Sequence, residues 1–141
     1  VIIIDHHHIH PKAVELAYKV KGPNQLMLVT DAMAHVGSSD DTIAFFDTHI
    51  TRSGNKLTTP DGTLAGSCLD MHGAVTNSIN DIDISIEHAS TMASITPARF
   101  TKIDDRIYGI AVGKRANFLV INNESTLLEV WQNGSKRHCA N

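Results

Sequence analysis

The residues best suited to chemistry lie at the start of the chain, in the segment "VIIIDHHHIHP" from Val1 to Pro11. Asp5 is followed there by four histidines within five positions. Imidazole and carboxylate groups transfer protons, bind metal ions and hydrogen-bond to polar ligands. Three interpretations are open: a purification tag, histidines that only hydrogen-bond within the fold, and a functional site. A tag is usually an uninterrupted run, whereas Ile9 interrupts this one and an apolar segment precedes it.

A second candidate, Asp31, follows the next apolar segment in "QLMLVTDA". In parallel α/β folds, ligands bind at the edge of the sheet where the strands end. If Val1–Ile4 and Leu26–Thr30 are neighbouring parallel strands, the histidines and Asp31 meet at that edge. The competing interpretation makes Asp31 a helix N-cap and the histidines structural residues.

The elements that would position these groups form a strand–helix–strand unit. A continuous β-branched run such as "VIII" is typical of a strand that is covered on both faces. Pro11 suits the first turn of a helix and Gly22 its end. The apolar stripe predicted for this helix consists of Val14, Leu16, Ala17 and Val20.

Downstream, the pattern predicts a β excursion, then helices, then a small β layer. "SGN" at Ser53–Asn55 is typical of a hairpin turn, which predicts two strands near residues 42–60, and the Gly-rich "PDGTLAGS" reads as a loop. Ser67 is expected to cap a helix from Cys68 to Ser78, with Asp70 as the capping-box acid. Strands are expected at Asn117–Ile121 and before the "NG" turn at Asn133. A second helix should end before Pro97, with an apolar face of Ile86, Ala89, Met92 and Ala93.

Composition excludes several classes of protein. The chain has 141 residues, 42% of them hydrophobic and 19% charged, which is enough for a packed core. The net charge of −3 comes without a basic stripe, so a nucleic-acid partner is not expected. No apolar run is long enough for a membrane span or a signal peptide. Cys68 and Cys139 lie far apart without a CxxC motif, which indicates a reducing compartment and neither disulfide framework nor structural zinc.

The strings "DHHHIHP", "LVTDAM" and "DGTLAGSCLDM", in this order, resemble the N-acetylglucosamine-6-phosphate deacetylases of the amidohydrolase superfamily. "TPAR" and "GKRAN" are similar to later segments of many amidohydrolases. The resemblance implies an α/β fold: a (β/α)₈ barrel with a small β-sandwich. Residues 1–106 would supply the last two barrel strands and their helices, with the hairpin excursion, and residues 107–141 would supply strands of the sandwich. The start on "VIII" without a methionine also suggests the C-terminal part of a longer protein.

The resemblance implies a hydrolase that removes the N-acetyl group of N-acetylglucosamine 6-phosphate, giving glucosamine 6-phosphate and acetate. Asp31 matches the catalytic aspartate, which would take a proton from the attacking water and give it to the leaving amine. His8 matches a substrate-binding histidine expected to contact the sugar phosphate. Asp5, His6 and His7 fall in the adjoining substrate-contact stretch, although relatives usually have glycine at the position of His6 and an apolar residue at that of His7. The backbone of Leu64, Ala65 and Gly66 matches a loop that contacts substrate.

The family's cofactor is a divalent metal such as Zn, Fe or Co, held by a glutamate and two histidines on earlier strands. No residue of this chain matches those ligands, so no metal ligand is predicted here. His6, His7 and His10 do not match the ligand positions. The remaining histidines are expected to be structural or surface residues: His35, His49, His72, His88 and His138.

The same resemblance implies a cytoplasmic homodimer, and predicts that the 141-residue chain alone is inactive. Two alternatives stay open. One is a related amidohydrolase that acts on another amide or cyclic amide. The other is a non-catalytic fragment that pairs its exposed strand edges with a second copy.

Overall fold

The computed structural model describes residues 1–107 and 109–139, with the side chains of His138 and Cys139 left out. The expectation of a structural or surface role for His138 concerns a side chain outside the described part of the chain. Within these ranges the chain combines helices with two antiparallel sheets.

The predicted parallel pairing of the two apolar segments is present as a single bridge. Ile2 and Leu28 pair in parallel, with backbone N–H···O distances of 2.9 and 3.0 Å. The expectation of complete strands over Val1–Ile4 and Leu26–Thr30 is therefore wrong. The carbonyl at the end of the first segment accepts a hydrogen bond from the side-chain amide of Asn77 at 2.7 Å, which takes an acceptor that a longer ladder would use.

Helix α1 spans Pro11–Lys21 and ends at Gly22, as predicted. Its buried face differs from the predicted stripe, because Leu16 and Val20 are exposed. The face that packs on the core follows the i, i+3, i+4 spacing of one helix surface. It consists of Val14, Ala17 and Tyr18.

The β excursion is larger than the predicted hairpin. Its strands form one antiparallel sheet in sequence order: β1 (Thr42–Phe45), β2 (Thr48–Ser53), β3 (Lys56–Thr58) and β4 (Leu64–Ser67). The turn at Gly54 and Asn55 joins β2 to β3, so the hairpin signal was right. The expectation that "LAGS" is loop was wrong, because these residues pair with β3 as strand β4.

Helix α2 spans Met71–Ile82 and is capped by Asp70, not by Ser67. The Asp70 carboxylate accepts from the backbone N–H of Gly73 at 2.6 Å. Ser67 is already committed elsewhere, since its hydroxyl donates to the Thr30 carbonyl and accepts from the Leu69 N–H. The predicted start at Cys68 is therefore wrong by about one turn.

The following helical stretch runs through the predicted stop. Helix α3 (Ile86–Ser90) continues through a π turn (Thr91–Ile95) into helix α4 (Thr96–Phe100), which contains Pro97. The wider π turn accommodates a proline that lacks an N–H and would crowd a regular helix. Ala89 and Met92 are fully buried, as predicted, whereas Ile86 is exposed. None of the helices in the described ranges is long and apolar enough to cross a membrane.

The predicted late β layer is present, with a third strand after the "NG" turn that the sequence did not predict. It contains β5 (Phe118–Ile121), β6 (Leu127–Gln132) and β7 (Ser135–Cys139), paired antiparallel in sequence order. Phe118 and Trp131 stack across the first pair at 5.5 Å between ring centroids. His72 on α2 contacts the Ser125 carbonyl at 2.6 Å, which ties this layer to the rest of the chain.

The apolar core lies between the paired segments at Ile2 and Leu28 and helices α1, α2 and α3 with the π turn. Its buried members are Ile2, Ile4, Val14, Leu26, Leu28, Ala74, Ile82, Ile84, Ala89 and Met92. Ile4 and Leu28 are almost fully buried, so they fix the positions at which the chain emerges from the core. The residues that follow them carry the candidate site.

Candidate active site

The first loop of the site is organised by the buried side chain of Asp5. Asp5 directly follows the core residue Ile4 and is 4% exposed. One carboxylate oxygen accepts from the backbone N–H groups of His7 and His8, both at 3.0 Å. His6 lies inside this turn with a φ of 69°, a left-handed conformation that residues other than glycine seldom adopt.

Asp5 also binds the ring of His8. Its second oxygen lies 2.7 Å from His8 Nδ1, a charge-assisted hydrogen bond. Burial acts to raise the pKa of the Asp5 carboxyl, but the backbone N–H groups of His8 and His7 and the His8 ring outweigh it. The pKa of Asp5 therefore lies below its ordinary value, and the group is an anion at neutral pH.

The other side of the His8 ring faces Asp31. His8 Nε2 is 3.8 Å from Asp31 Oδ2, and the two side chains are 24% and 56% exposed. Asp31 has a φ of 52°, the second left-handed residue of the site. The fold thus brings the tips of both apolar segments to one solvent-accessible position, which the shared-site hypothesis required.

Strand β4 fixes the backbone around Asp31. The Ser67 N–H donates to the Asp31 carbonyl at 2.9 Å, and the Met33 N–H donates to the Ser67 carbonyl at 3.0 Å. Gly66 has a φ of 68°, and a Cβ there would lie 2.5 Å from Met33 Cγ and 3.0 Å from the Asp31 carbonyl oxygen. Only glycine allows β4 to approach this closely.

Of the three predicted β4 residues, Gly66 is next to Asp31, and Leu64 and Ala65 precede it on the same strand; all three are half-buried. A role of their backbone in substrate contact stays a prediction.

His6 and His7, which were also predicted to contact substrate, have partners within the protein. His6 Nε2 lies 3.4 Å from Asp81 Oδ2 on α2, and His7 Nε2 lies 2.9 Å from Asn55 Oδ1 in the β2–β3 turn.

Comparison with known proteins identifies the family of the chain. A profile described as the amidohydrolase family matches residues 7–138. The chain belongs to the amidohydrolase family.

Individual amidohydrolases resemble the chain over most of its length. An N-acetylgalactosamine-6-phosphate deacetylase of Shewanella sp. (strain ANA-3) is 38% identical over 92% of this chain and 33% of the relative. An N-acetylglucosamine-6-phosphate deacetylase of Vibrio furnissii is 31% identical over 94% of this chain and 33% of the relative. The crystal structure of N-acetylglucosamine-6-phosphate deacetylase from Pasteurella multocida matches with a TM-score of 0.91 and 30% identity, over 96% of this chain and 36% of that one.

These matches confirm the predicted α/β fold class and the family resemblance. They also show that the chain spans about a third of the length of these amidohydrolases. The division at residue 106 between barrel and sandwich stays a prediction.

The described residues of this amidohydrolase do not assemble a metal-binding set. No group of three or more His, Cys, Asp or Glu side chains in the described ranges could hold a metal ion. Next to Asp31, the His8 ring has one nitrogen committed to Asp5, which leaves a single imidazole nitrogen beside one carboxylate. A catalytic metal needs at least three protein ligands, so these two donor atoms alone do not form a metal site.

The other histidines of this amidohydrolase are accounted for locally. His10 caps α1 through its ring, and His88 contacts the Tyr18 hydroxyl. His35 is 1% exposed and its Nε2 lies 3.1 Å from the Ile50 carbonyl, whereas His49 is exposed. These positions agree with structural or surface roles.

Sequence reasoning missed Asn55, Asp81 and Met33 as neighbours of the site. Each contacts a site residue from a distant part of the chain, and no local pattern marks them. "SGN" did predict the turn that carries Asn55, but not that the turn reaches His7.

Proposed function

We propose that the chain is part of a hydrolase that removes the N-acetyl group of N-acetylglucosamine 6-phosphate, giving glucosamine 6-phosphate and acetate. The observation that carries the proposal is the pair of His8 Nε2 and Asp31 Oδ2 at 3.8 Å, on the matched positions of a family whose relatives are named as amino-sugar-phosphate deacetylases. In this proposal, residues 1–106 belong to the (β/α)₈ barrel and residues 107–141 belong to the β-sandwich domain.

Asp31 has the chemistry of the proton carrier. Its carboxylate is more than half exposed, so water and substrate can reach it. It takes a proton from the attacking water as the water oxygen bonds to the acetyl carbon. It then gives this proton to the amide nitrogen as the C–N bond breaks, which releases the amine and acetate.

His8 is proposed to hold the substrate. Nε2 is the ring nitrogen that faces Asp31, and it can accept a hydrogen bond from a hydroxyl group of the sugar phosphate. The backbone of Leu64, Ala65 and Gly66 is proposed to line the substrate on the β4 side. His6 and His7 are proposed to flank it, each anchored by its own partner.

A divalent metal ion such as Zn, Fe or Co, a homodimeric assembly and a cytoplasmic location belong to the proposal through the family resemblance alone. The metal ligands would come from residues outside the described part of this chain. The proposed roles of Asp31 and His8 do not depend on them.

A second candidate substrate is N-acetylgalactosamine 6-phosphate. It is favoured by the 38% identity to a relative that is named for that substrate, against 31% to the glucosamine-type relative from Vibrio. The two sugars differ only in the configuration of one hydroxyl, so the reaction and the roles of Asp31 and His8 are the same for both.

The test of the proposal is a measurement of acetate release by the full-length protein. We expect turnover of N-acetylglucosamine 6-phosphate with a kcat/KM well above that of N-acetylglucosamine. Faster turnover of the galactosamine isomer would select the second candidate. Equal turnover of phosphorylated and unphosphorylated sugar would contradict both.

A further inference from the structure

The carboxylate of Asp5 is buried in the protein and does not face solvent. Asp5 is 4% exposed as a residue, whereas the Asp31 side chain is 56% exposed. A buried carboxylate is retained only where hydrogen bonds replace its lost hydration. All the partners seen for Asp5 come from the two residues that follow His6.

These hydrogen bonds fix both the turn and the ring of His8. One oxygen of Asp5 holds the N–H groups of His7 and His8, and the other holds His8 Nδ1 at 2.7 Å. A carboxylate is an acceptor only, so Nδ1 must carry the hydrogen of this bond. In its neutral form the ring is therefore the Nδ1–H tautomer, and Nε2 has a free lone pair.

The opposite end of the ring points to the reaction site. Nε2 lies 3.8 Å from Asp31 Oδ2, too far for a direct hydrogen bond. Nε2 and the Asp31 carboxylate are thus neighbours at the protein surface that do not consume each other's hydrogen-bonding capacity. The direction of Nε2 depends on the ring orientation that Asp5 sets from the other side.

We propose that Asp5 is a positioning residue, which holds the His8 ring in the Nδ1–H tautomer with Nε2 beside Asp31, and that it does not itself contact substrate. This rests on the proposed function, because it assigns Nε2 to the substrate. It replaces the substrate-contact role that the family resemblance implies for Asp5.

The depressed pKa of the Asp5 carboxyl supports the assignment. The group stays an anion throughout the neutral range, so it remains an acceptor for Nδ1–H. Asp5→Asn reverses this interaction. The amide oxygen is needed by the two backbone N–H groups, so the NH₂ group faces Nδ1 and can only donate to it. The ring must then carry its hydrogen on Nε2.

The experiment is nitrogen-15 NMR of the full-length protein labelled at histidine, with the His8 signal assigned by its loss in His8→Gln. Spectra recorded up to a pH at which the ring is neutral report which nitrogen carries the hydrogen. In the wild type we expect Nδ1–H, and in Asp5→Asn we expect Nε2–H. Asp81→Asn is the matched control: it removes the partner of His6 in the same loop and should leave the His8 tautomer unchanged.

Kinetics give the second measurement. We expect kcat/KM of Asp5→Asn to fall by about 10- to 100-fold, as when an orienting partner of a functional imidazole is lost, and we expect Asp5→Asn to cost little more when it is added to His8→Gln. An equal further loss in the His8→Gln background would overturn the proposal, because a residue that contacts substrate itself would act independently of His8.

The two proposals fail differently. Nε2–H in the wild-type protein would overturn the positioning role, whether or not Asp5→Asn folds and whatever the protein hydrolyses. Loss of the proposed function would instead appear as absent acetate release by the wild type, with the His8 tautomer still as expected.

Discussion

His6 and Asp31 both have left-handed backbone conformations, with φ values of 69° and 52°. A residue with a Cβ in this region costs about 1–2 kcal/mol, and such strain is often found at functional sites. The strain at His6 explains in physical terms why a glycine suits this position in the family pattern. The side chain that this chain has instead is paired with Asp81.

Gly66 gives a residue-scale test of how β4 supports Asp31. Gly66→Ala should lower the free energy of unfolding by about 2–4 kcal/mol, because the φ of 68° is strained and the new Cβ meets Met33 and the Asp31 carbonyl. It should also lower kcat by displacing Asp31. Urea denaturation and acetate release measure the two effects.

Gly62→Ala is the matched control. Gly62 has a φ of 87°, and a Cβ added there would meet nothing within 4 Å, so this variant has the strain without the clash. We expect a loss of about 1–2 kcal/mol and normal turnover. If both variants behave alike, the close approach of β4 to Asp31 has no functional role.

The pH dependence of stability tests Asp5. Its folded pKa lies below the ordinary value of 3.8, because the His7 and His8 hydrogen bonds overcome the effect of burial. A depressed pKa contributes stability that is complete above the unfolded pKa and is lost as the pH falls through the folded pKa. The difference in unfolding free energy between wild type and Asp5→Asn should therefore be constant near neutrality and shrink below about pH 4. A difference that does not change between about pH 6 and about pH 3 would contradict this.

At the scale of elements, helix α2 supports the first loop of the site. Its Asn77 side chain binds the Ile4 carbonyl directly before Asp5, and Asp81 on the same helix pairs with His6. The orientation of α2 therefore matters to the site, because it holds the loop that carries His8 on both sides of Asp5.

The N-cap of α2 tests where this helix begins. Asp70→Ala removes the acceptor of the Gly73 N–H and should cost about 0.5–2 kcal/mol of stability, whereas Asp70→Ser should retain most of it. Thermal unfolding of the two variants measures the difference. If Ser67→Ala gave the capping phenotype and Asp70→Ala did not, the observed start of α2 would be wrong.

The sequence predicted the elements whose signals are local. Pro11 and Gly22 bound α1 where expected, and the "NG" turn at Asn133 joins β6 to β7. The predictions were wrong where contacts between residues far apart in the sequence determine the local structure. "LAGS" becomes a strand because β3 and Ala32 pair with it, and Ser67 loses the capping role because its hydroxyl binds Thr30.

The same limit applies to the candidate site. The positions of His8 and Asp31 at two segment ends predicted that they would meet, and the family resemblance supplied their proposed roles. The partners of Asp5, His6 and His7 followed from neither, because each depends on how a side chain turns within the folded loop.

At the scale of the whole molecule, the chain spans about a third of the amidohydrolases that it matches. Since the described residues hold no metal-binding group, we expect the 141-residue chain alone to release no acetate, with or without added Zn²⁺. The full-length protein should be active under the same conditions. Turnover by the purified 141-residue chain, free of full-length protein, would contradict the assignment of metal ligands to residues outside it.

The most direct test of the central claim is the kcat for acetate release from N-acetylglucosamine 6-phosphate by full-length Asp31→Asn. An amide cannot carry the proton from water to the leaving nitrogen, so kcat should fall by about 10²- to 10⁴-fold while the melting temperature stays near that of the wild type. A folded Asp31→Asn protein with normal kcat would contradict the claim that Asp31 and His8 form the site of deacetylation.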